Sequence, residues 1–224
     1  MRVNPINRLE ILRKTKIGQF SFEYEAFPGR FEEEIRFNVY LVDEFGNRSN
    51  LPLFSGYFFG GRDYYSPWID TQYNDKLKVG NKDLDLMDTE LERALFVEFG
   101  SLLPKGGTLY VVYTNLRDVM FELSKGVPPV VTRIGYAMLQ AGFTSFKDLY
   151  YLDGEFEGGP KLQGVKPSTV EEELKQLRDL LNEVRDFLRV TFPWPRTKER
   201  AEEVEYYLIR RIGSIIRTSG LLKK

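Results

Sequence analysis

Phe20-Ser21-Phe22-Glu23-Tyr24-Glu25 is followed, after the turn residues Phe27-Pro28-Gly29-Arg30, by a second alternating run from Glu34 to Val42. In the first run every other residue is aromatic. In the second, Ile35, Phe37, Val39 and Leu41 share one face. A two-residue apolar period is the mark of a strand with one wet face. Asp43-Glu44-Phe45-Gly46-Asn47 reads as the next turn, and Leu51 to Phe59 as a third strand. Short turns can join only antiparallel neighbours, because a parallel return needs a crossover of about a dozen residues or more. The opening quarter therefore predicts a β-meander. Gly56 interrupts the third strand and Gly60-Gly61 ends it, which marks a bulge or a close approach by another backbone or a ligand.

Residues 62–87 carry Tyr64, Tyr65, Trp68 and Tyr73 around Pro67, with a turn at Val79-Gly80-Asn81-Lys82. They read as a long hairpin or loop whose aromatics cap the core. A base-stacking platform is the alternative, but Asp63, Asp70 and Asp75 offset Arg62 and Lys76. The period changes at residue 88. Thr89-x-x-Glu92 is a capping box before a helix over 89–103, with Leu91, Leu95 and Leu102 as its stripe. Leu109 to Tyr113 is a buried strand. Asn115 caps a helix that stops at Gly126, and Thr132 caps another that stops at Gly142, with Ile134, Ala137, Met138 and Ala141 inward. Phe146 to Leu152 and Lys161 to Val165 are the closing strands. A short amphipathic helix is expected over 6–14.

The last quarter differs. Ser168-x-x-Glu171 reads as a capping box, and Val170, Leu174, Leu177, Leu181, Val184 and Leu188 recur as a heptad seam. Phe192-Pro193-Trp194-Pro195 breaks the helix, and Val204, Leu208, Ile212 and Ile215 continue a second stripe. The expected organisation is an α/β (α+β) domain over 1–166 and a C-terminal αα-hairpin over 167–224. The hairpin packs on the domain or on a second subunit, so a homo-dimer is the partner expected.

Composition narrows the chemistry. The chain has 224 residues with 32 Lys plus Arg against 33 Asp plus Glu, no His and no Cys. Thiolate nucleophiles, zinc ribbons, His-assisted triads and His-held metals are excluded. Proton transfer falls to Asp, Glu, Tyr, Lys, main chain or water. A metal would need oxygen ligands, and no such site is expected. The balanced charge makes nucleic acid an unexpected partner. No apolar run reaches the roughly 18 residues of a membrane helix. Met1-Arg2-Val3-Asn4-Pro5 leads into amphipathic sequence, which reads as cytoplasmic. Abundant Lys, Arg and Glu with no Cys hint at a heat-loving source. Neither a Rossmann G-x-G-x-x-G nor a P-loop occurs.

Ile134-Gly135-Tyr136-Ala137-Met138-Leu139-Gln140-Ala141-Gly142-Phe143 resembles the helix ending in "GF" of the GNAT N-acetyltransferases, and the element order over roughly residues 5–166 resembles theirs. This resemblance implies a mixed, GNAT-like sheet with crossover helices. It also implies an acyl-transfer function, with acetyl-CoA or another acyl-CoA lying where the strands near Gly56 to Gly61 and Leu109 to Tyr113 diverge. The family's pyrophosphate loop has no match before Thr89, where Asp83, Asp85 and Asp88 stand instead, and Met138 occupies the position of its usual general-acid Tyr.

A second resemblance rests on Gly126-Val127-Pro128-Pro129, Ala141-Gly142-Phe143, Phe146-Lys147-Asp148-x-Tyr150 and Glu157-Gly158-Gly159-Pro160-Lys161-Leu162-Gln163-Gly164. These words resemble an uncharacterised archaeal and bacterial family placed near that fold. Read as chemistry, Gly158 and Gly159 let a ligand approach backbone. Glu157, Asp148 and Tyr150 are the candidate acids or bases. Lys161, Gln163, Gly56 and Tyr113 are the candidate ligand-binding residues. Two further readings are kept. One is a non-catalytic binding or dimerisation module. The other is an S-adenosylmethionine-dependent methyltransferase, which Leu103-Pro104-Lys105-Gly106-Gly107-Thr108-Leu109 resembles.

Overall fold

The computed structural model describes residues 16–31, 34–60, 67–149, 160–190 and 194–219. Its strands are β1 Lys16–Ile17, β2 Phe20–Pro28, β3 Glu34–Val42, β4 Phe54–Phe59, β5 Trp68–Tyr73, β6 Lys76–Val79, β7 Lys82–Asp85, β8 Thr108–Val112, β9 Ser145–Asp148 and β10 Lys161–Val165. Its helices are α1 Glu90–Gly100, α2 Arg117–Ser124, α3 Arg133–Gln140, α4 Val170–Leu188 and α5 Pro195–Thr218, with a 3₁₀ turn at Pro129–Val131. The expected helix over 6–14 lies outside the described residues.

Eight strands form one sheet in the order β1-β2-β3-β4-β5-β8-β10-β9. β2, β3, β4 and β5 are antiparallel neighbours, as the alternating runs and short turns require. β5 and β8 form the parallel pair, with Trp68 opposite Thr108 and Gln72 opposite Val112. The return between them runs through the β6–β7 hairpin and α1. The early parallel unit that a methyltransferase needs is not among the described residues. Architecture is mixed α+β with a mostly antiparallel sheet.

Four expectations are corrected here. Residues 68–73 are neither loop nor core cap. They form a central strand, because Ile69, Thr71 and Tyr73 alternate inward while Trp68, Asp70 and Gln72 face the other way. As a result, β4 and β8 do not adjoin and do not diverge from each other; β5 separates them. Asn115 caps no helix. Its amide instead reaches the Tyr73 carbonyl at 3.2 Å and Asn74 Oδ1 at 2.8 Å, tying together the carboxyl ends of the two parallel strands. The last capping box is shifted by one residue: Thr169 accepts from Glu172 N, and Glu172 reaches back to Ser168 N.

One face of the sheet carries the core. Phe37, Phe54, Ile69, Val111 and Leu162 meet Leu95, Phe96 and Phe99 of α1, Val119 of α2 and Ile134, Ala137 and Met138 of α3. Phe54 stacks on Phe99 with ring centroids 4.1 Å apart. Each such buried side chain contributes about 1.5–3 kcal/mol. Beyond α3 a second core joins Val127, Val130, Tyr136 and Leu139 to Leu174, Leu177, Leu180 and Val184 of α4 and Val204 and Leu208 of α5. Gly135 makes this close packing possible, since a Cβ there would overlap the Pro129 carbonyl oxygen. Of the heptad seam, Leu174, Leu177 and Val184 are thus buried within the chain, Leu181 and Leu188 are partly buried against the same core, and Val170 is exposed.

Candidate functional site

All five helices described above stack on one side, directly or through α3. The other face of the sheet presents polar and aromatic side chains in rows set by strand register. One row reads Phe27, Arg36, Tyr57, Asp70, Tyr110, Gln163 and Lys147 across β2, β3, β4, β5, β8, β10 and β9. The adjacent row reads Glu25, Asn38, Ser55, Gln72, Val112 and Lys161. Between the rows lies a groove of about 580 Å³, lined by Phe27, Arg36, Phe37, Asn38, Ser55, Gly56, Tyr57, Asp70, Gln72, Val112 and Lys161. That volume suits a small ligand.

Lys161 is the buried charge of the groove, 4% exposed. Its ammonium passes over β8 to pair with Asp70 of β5. A buried ammonium requires such a partner, since its desolvation costs several kcal/mol. Gly56 sits at the groove floor because a Cβ would overlap the Asp70 carbonyl oxygen. The close approach expected at this glycine is therefore made by the neighbouring strand. Arg36 is exposed and lies over the Tyr57 ring, 5.3 Å from its centroid. Gln163 shares this face and donates to Tyr110 Oη at 3.4 Å. Burial pushes the Tyr110 hydroxyl above its ordinary range, and the Asp70 charge adds to this.

The sequence-predicted residues divide between the two faces. Lys161 and Gln163 share the open face, and Gly56, in register with the inward Phe37 and Thr71, borders the groove with Lys161. Asp148 pairs with Leu162 in register and so points to the helix side, where Tyr113 Oη donates to its Oδ1 at 2.6 Å. Asp148 and Tyr113 are thus joined to each other and separated from the groove by the sheet. Glu157, Tyr150, Gly158 and Gly159 lie outside the described residues. Arg36, Asn38, Ser55 and Gln72 were not among the candidates. Alternation already placed Arg36 and Asn38 on the wet face of β3, but it could not say which strands would flank them.

A second polar cluster lies at the carboxyl ends of β5 and β8. Arg133 of α3, with its side chain 1% exposed, pairs with Glu92 of α1, with Asp118 of α2 and with Asp75 at 2.6 Å. Burial pushes Glu92 up to about 7, against the pull of Arg133. Asp75 is likewise raised by burial. Asp118 is held below the usual carboxylate range because its hydrogen bond and charge contact with Arg133 outweigh burial. Glu92 also accepts from Asp88 N at 2.8 Å, while its own N–H donates to Thr89 Oγ1 at 3.1 Å. The start of α1 is thereby filled by its own side chains, as the capping box predicted. Asp88 in turn pairs with Arg93 at 3.3 Å and with Arg196 at 3.1 Å. Met138, fully buried, lies in the core. No cluster of three or more acidic groups suited to a metal occurs among the described residues.

No curated protein matches the chain. A protein of unknown function from Aquifex aeolicus VF5, known from its crystal structure, is similar over 90% of this chain and 98% of its own, with 27% identity and a TM-score of 0.68. The family model described as "Protein of unknown function (DUF1122)" matches residues 19–191, most of the described sheet and α1 through α4. The chain belongs to that family.

Proposed function

We propose that the protein binds a small polar ligand in the open-face groove and that its sheet is a GNAT-like frame, so that the ligand is the acceptor of an acyl group from an acyl-CoA-like donor. The observation that carries this reading is the groove itself. It collects Lys161, Asp70, Gln72 and Gly56 from three strands around one volume of about 580 Å³. The element order supports the frame: an antiparallel meander, a helix, a strand parallel to the last of the meander, a helix ending at Gly142-Phe143, and two closing strands. Asp70 is the carboxylate placed to accept a proton from an acceptor in the groove.

One observation favours a second reading, a non-catalytic binding module. The start of α1, where a diphosphate would gain from main-chain N–H groups and the helix dipole, is already occupied by Thr89 and Glu92. A dimer draws less support, because Leu174, Leu177 and Val184 are buried within the chain.

Calorimetric titration with acetyl-CoA and with S-adenosylmethionine separates these. Binding of acetyl-CoA that Gln72→Trp leaves intact, with binding of the small polar ligand lost because the new ring fills the groove, upholds acyl transfer. Binding of neither cofactor, with small polar ligands still bound, upholds the module. Binding of S-adenosylmethionine contradicts both.

A further inference from the structure

The polar groups of the groove specify a ligand class, an inference that rests on the groove being the ligand site. Among the described residues, the side chains of Arg36, Asn38, Ser55 and Gln72 have no hydrogen-bond or ion-pair partner, Arg36 being held only against the Tyr57 ring. Asp70, which lines the groove, meets Lys161 through Oδ2, and its Oδ1 has no hydrogen bond among the described residues. Lys161 is paired with Asp70, whereas Arg36 has no carboxylate partner among the described residues and is the lining cation a ligand meets.

We infer that the groove is a site for a polyhydroxylated small molecule carrying one anionic group. The Arg36 guanidinium takes the anion. Its fork suits a carboxylate or a phosphate, and such charge-assisted bonds are about twice as strong as neutral ones. Hydroxyls are both donors and acceptors, which is what the remaining lining requires: Asp70 Oδ1 accepts, Asn38 and Gln72 do both, and Ser55 adapts to either. Two strand spacings, about 10 Å, separate Arg36 from Asp70. The ligand is therefore short and extended across the strands. A ligand ammonium would compete with Lys161 for Asp70, so an amine is a poorer fit than a hydroxyl.

The test is ligand-observed NMR and calorimetry on the full chain with gluconate, glucose 6-phosphate and uncharged sorbitol, no acyl donor being added. One or both anionic probes are expected to bind at least about tenfold more tightly than sorbitol. Comparison of the two identifies whether the anion is carboxylate or phosphate. Arg36→Gln, at an exposed position, is expected to bring them to the level of sorbitol. Anionic and neutral probes of equal affinity, or an Arg36→Gln variant that keeps the preference, overturn the inference while leaving the groove as a ligand site. No binding of any of the three, with acetyl-CoA bound elsewhere, overturns the inference together with the reading on which it rests.

Discussion

Lys161 and Asp70 stand 91 positions apart in sequence and meet across β8 on the open face of the sheet. The Lys161 side chain is 5% exposed and that of Asp70 is 22% exposed. Removing the cation alone leaves a partly buried carboxylate facing an apolar replacement. Lys161→Met is expected to lower stability by roughly 2–4 kcal/mol. Combining it with Asp70→Asn should restore most of the loss, because the uncompensated charge goes too. Urea denaturation of the two single variants and the double variant measures the coupling.

Gly56 fixes how closely β4 and β5 approach. Gly56→Ala would drive a methyl group into the Asp70 carbonyl and part the two strands. A loss of about 1–3 kcal/mol is expected from the overpacking. Ligand binding should weaken as well, since Ser55, Tyr57 and Asp70 all move with those strands. A crystal structure of the variant with unchanged β4–β5 spacing would contradict this account of the glycine.

The Arg133 cluster gives stability a pH dependence. The folded pKa of Glu92, about 7, lies above its ordinary value of 4.5. Between those values the folded chain holds a proton that the unfolded chain has released. This group's contribution to stability therefore falls as pH rises from about 4.5 to about 7, and is level above. The size is on the order of 3 kcal/mol. Glu92→Gln should remove that slope, which unfolding midpoints at several pH values will show against the parent chain. Asp118 acts in the opposite sense. Its depressed pKa adds stability that is present above the ordinary carboxyl range and lost as pH falls below it.

The helical hairpin is tied to the rest by charge as well as by apolar packing. Arg200 of α5 pairs with Glu122 of α2 and donates to the Val131 carbonyl at 2.6 Å, and Thr197 donates to Glu122 at 2.8 Å. Arg200→Leu leaves Glu122 buried and is expected to cost about 3–5 kcal/mol. Faster amide exchange over α4 and α5 than over β3 and β4 in that variant would show that the contact holds the hairpin in place.

Periodicity made the meander, the helix starts at Thr89 and Thr132 and the closing strand at Lys161 legible, because each is a local pattern with a local cause. β5 was hidden by its own composition. Pro67, Asp70 and Gln72 lower its strand signal, and only its place between β4 and β8 makes Ile69, Thr71 and Tyr73 inward. The site was legible in part for the same reason. Lys161 and Gln163 share a face by alternation, yet Asp70, Arg36 and Gln72 join them through register between strands distant in sequence. Arg133 and Glu92 carried a weaker signal. An arginine at the first position of a helix opposes the helix dipole, and here three carboxylates account for it.

Amide chemical-shift mapping tests the groove most directly. Titration of gluconate or glucose 6-phosphate into labelled protein is predicted to shift Asn38, Ser55, Gly56, Gln72 and Lys161 together, with the start of α1 at Thr89 to Glu92 unmoved. Shifts confined to that helix start, or to the Tyr113–Asp148 side of the sheet, would contradict it.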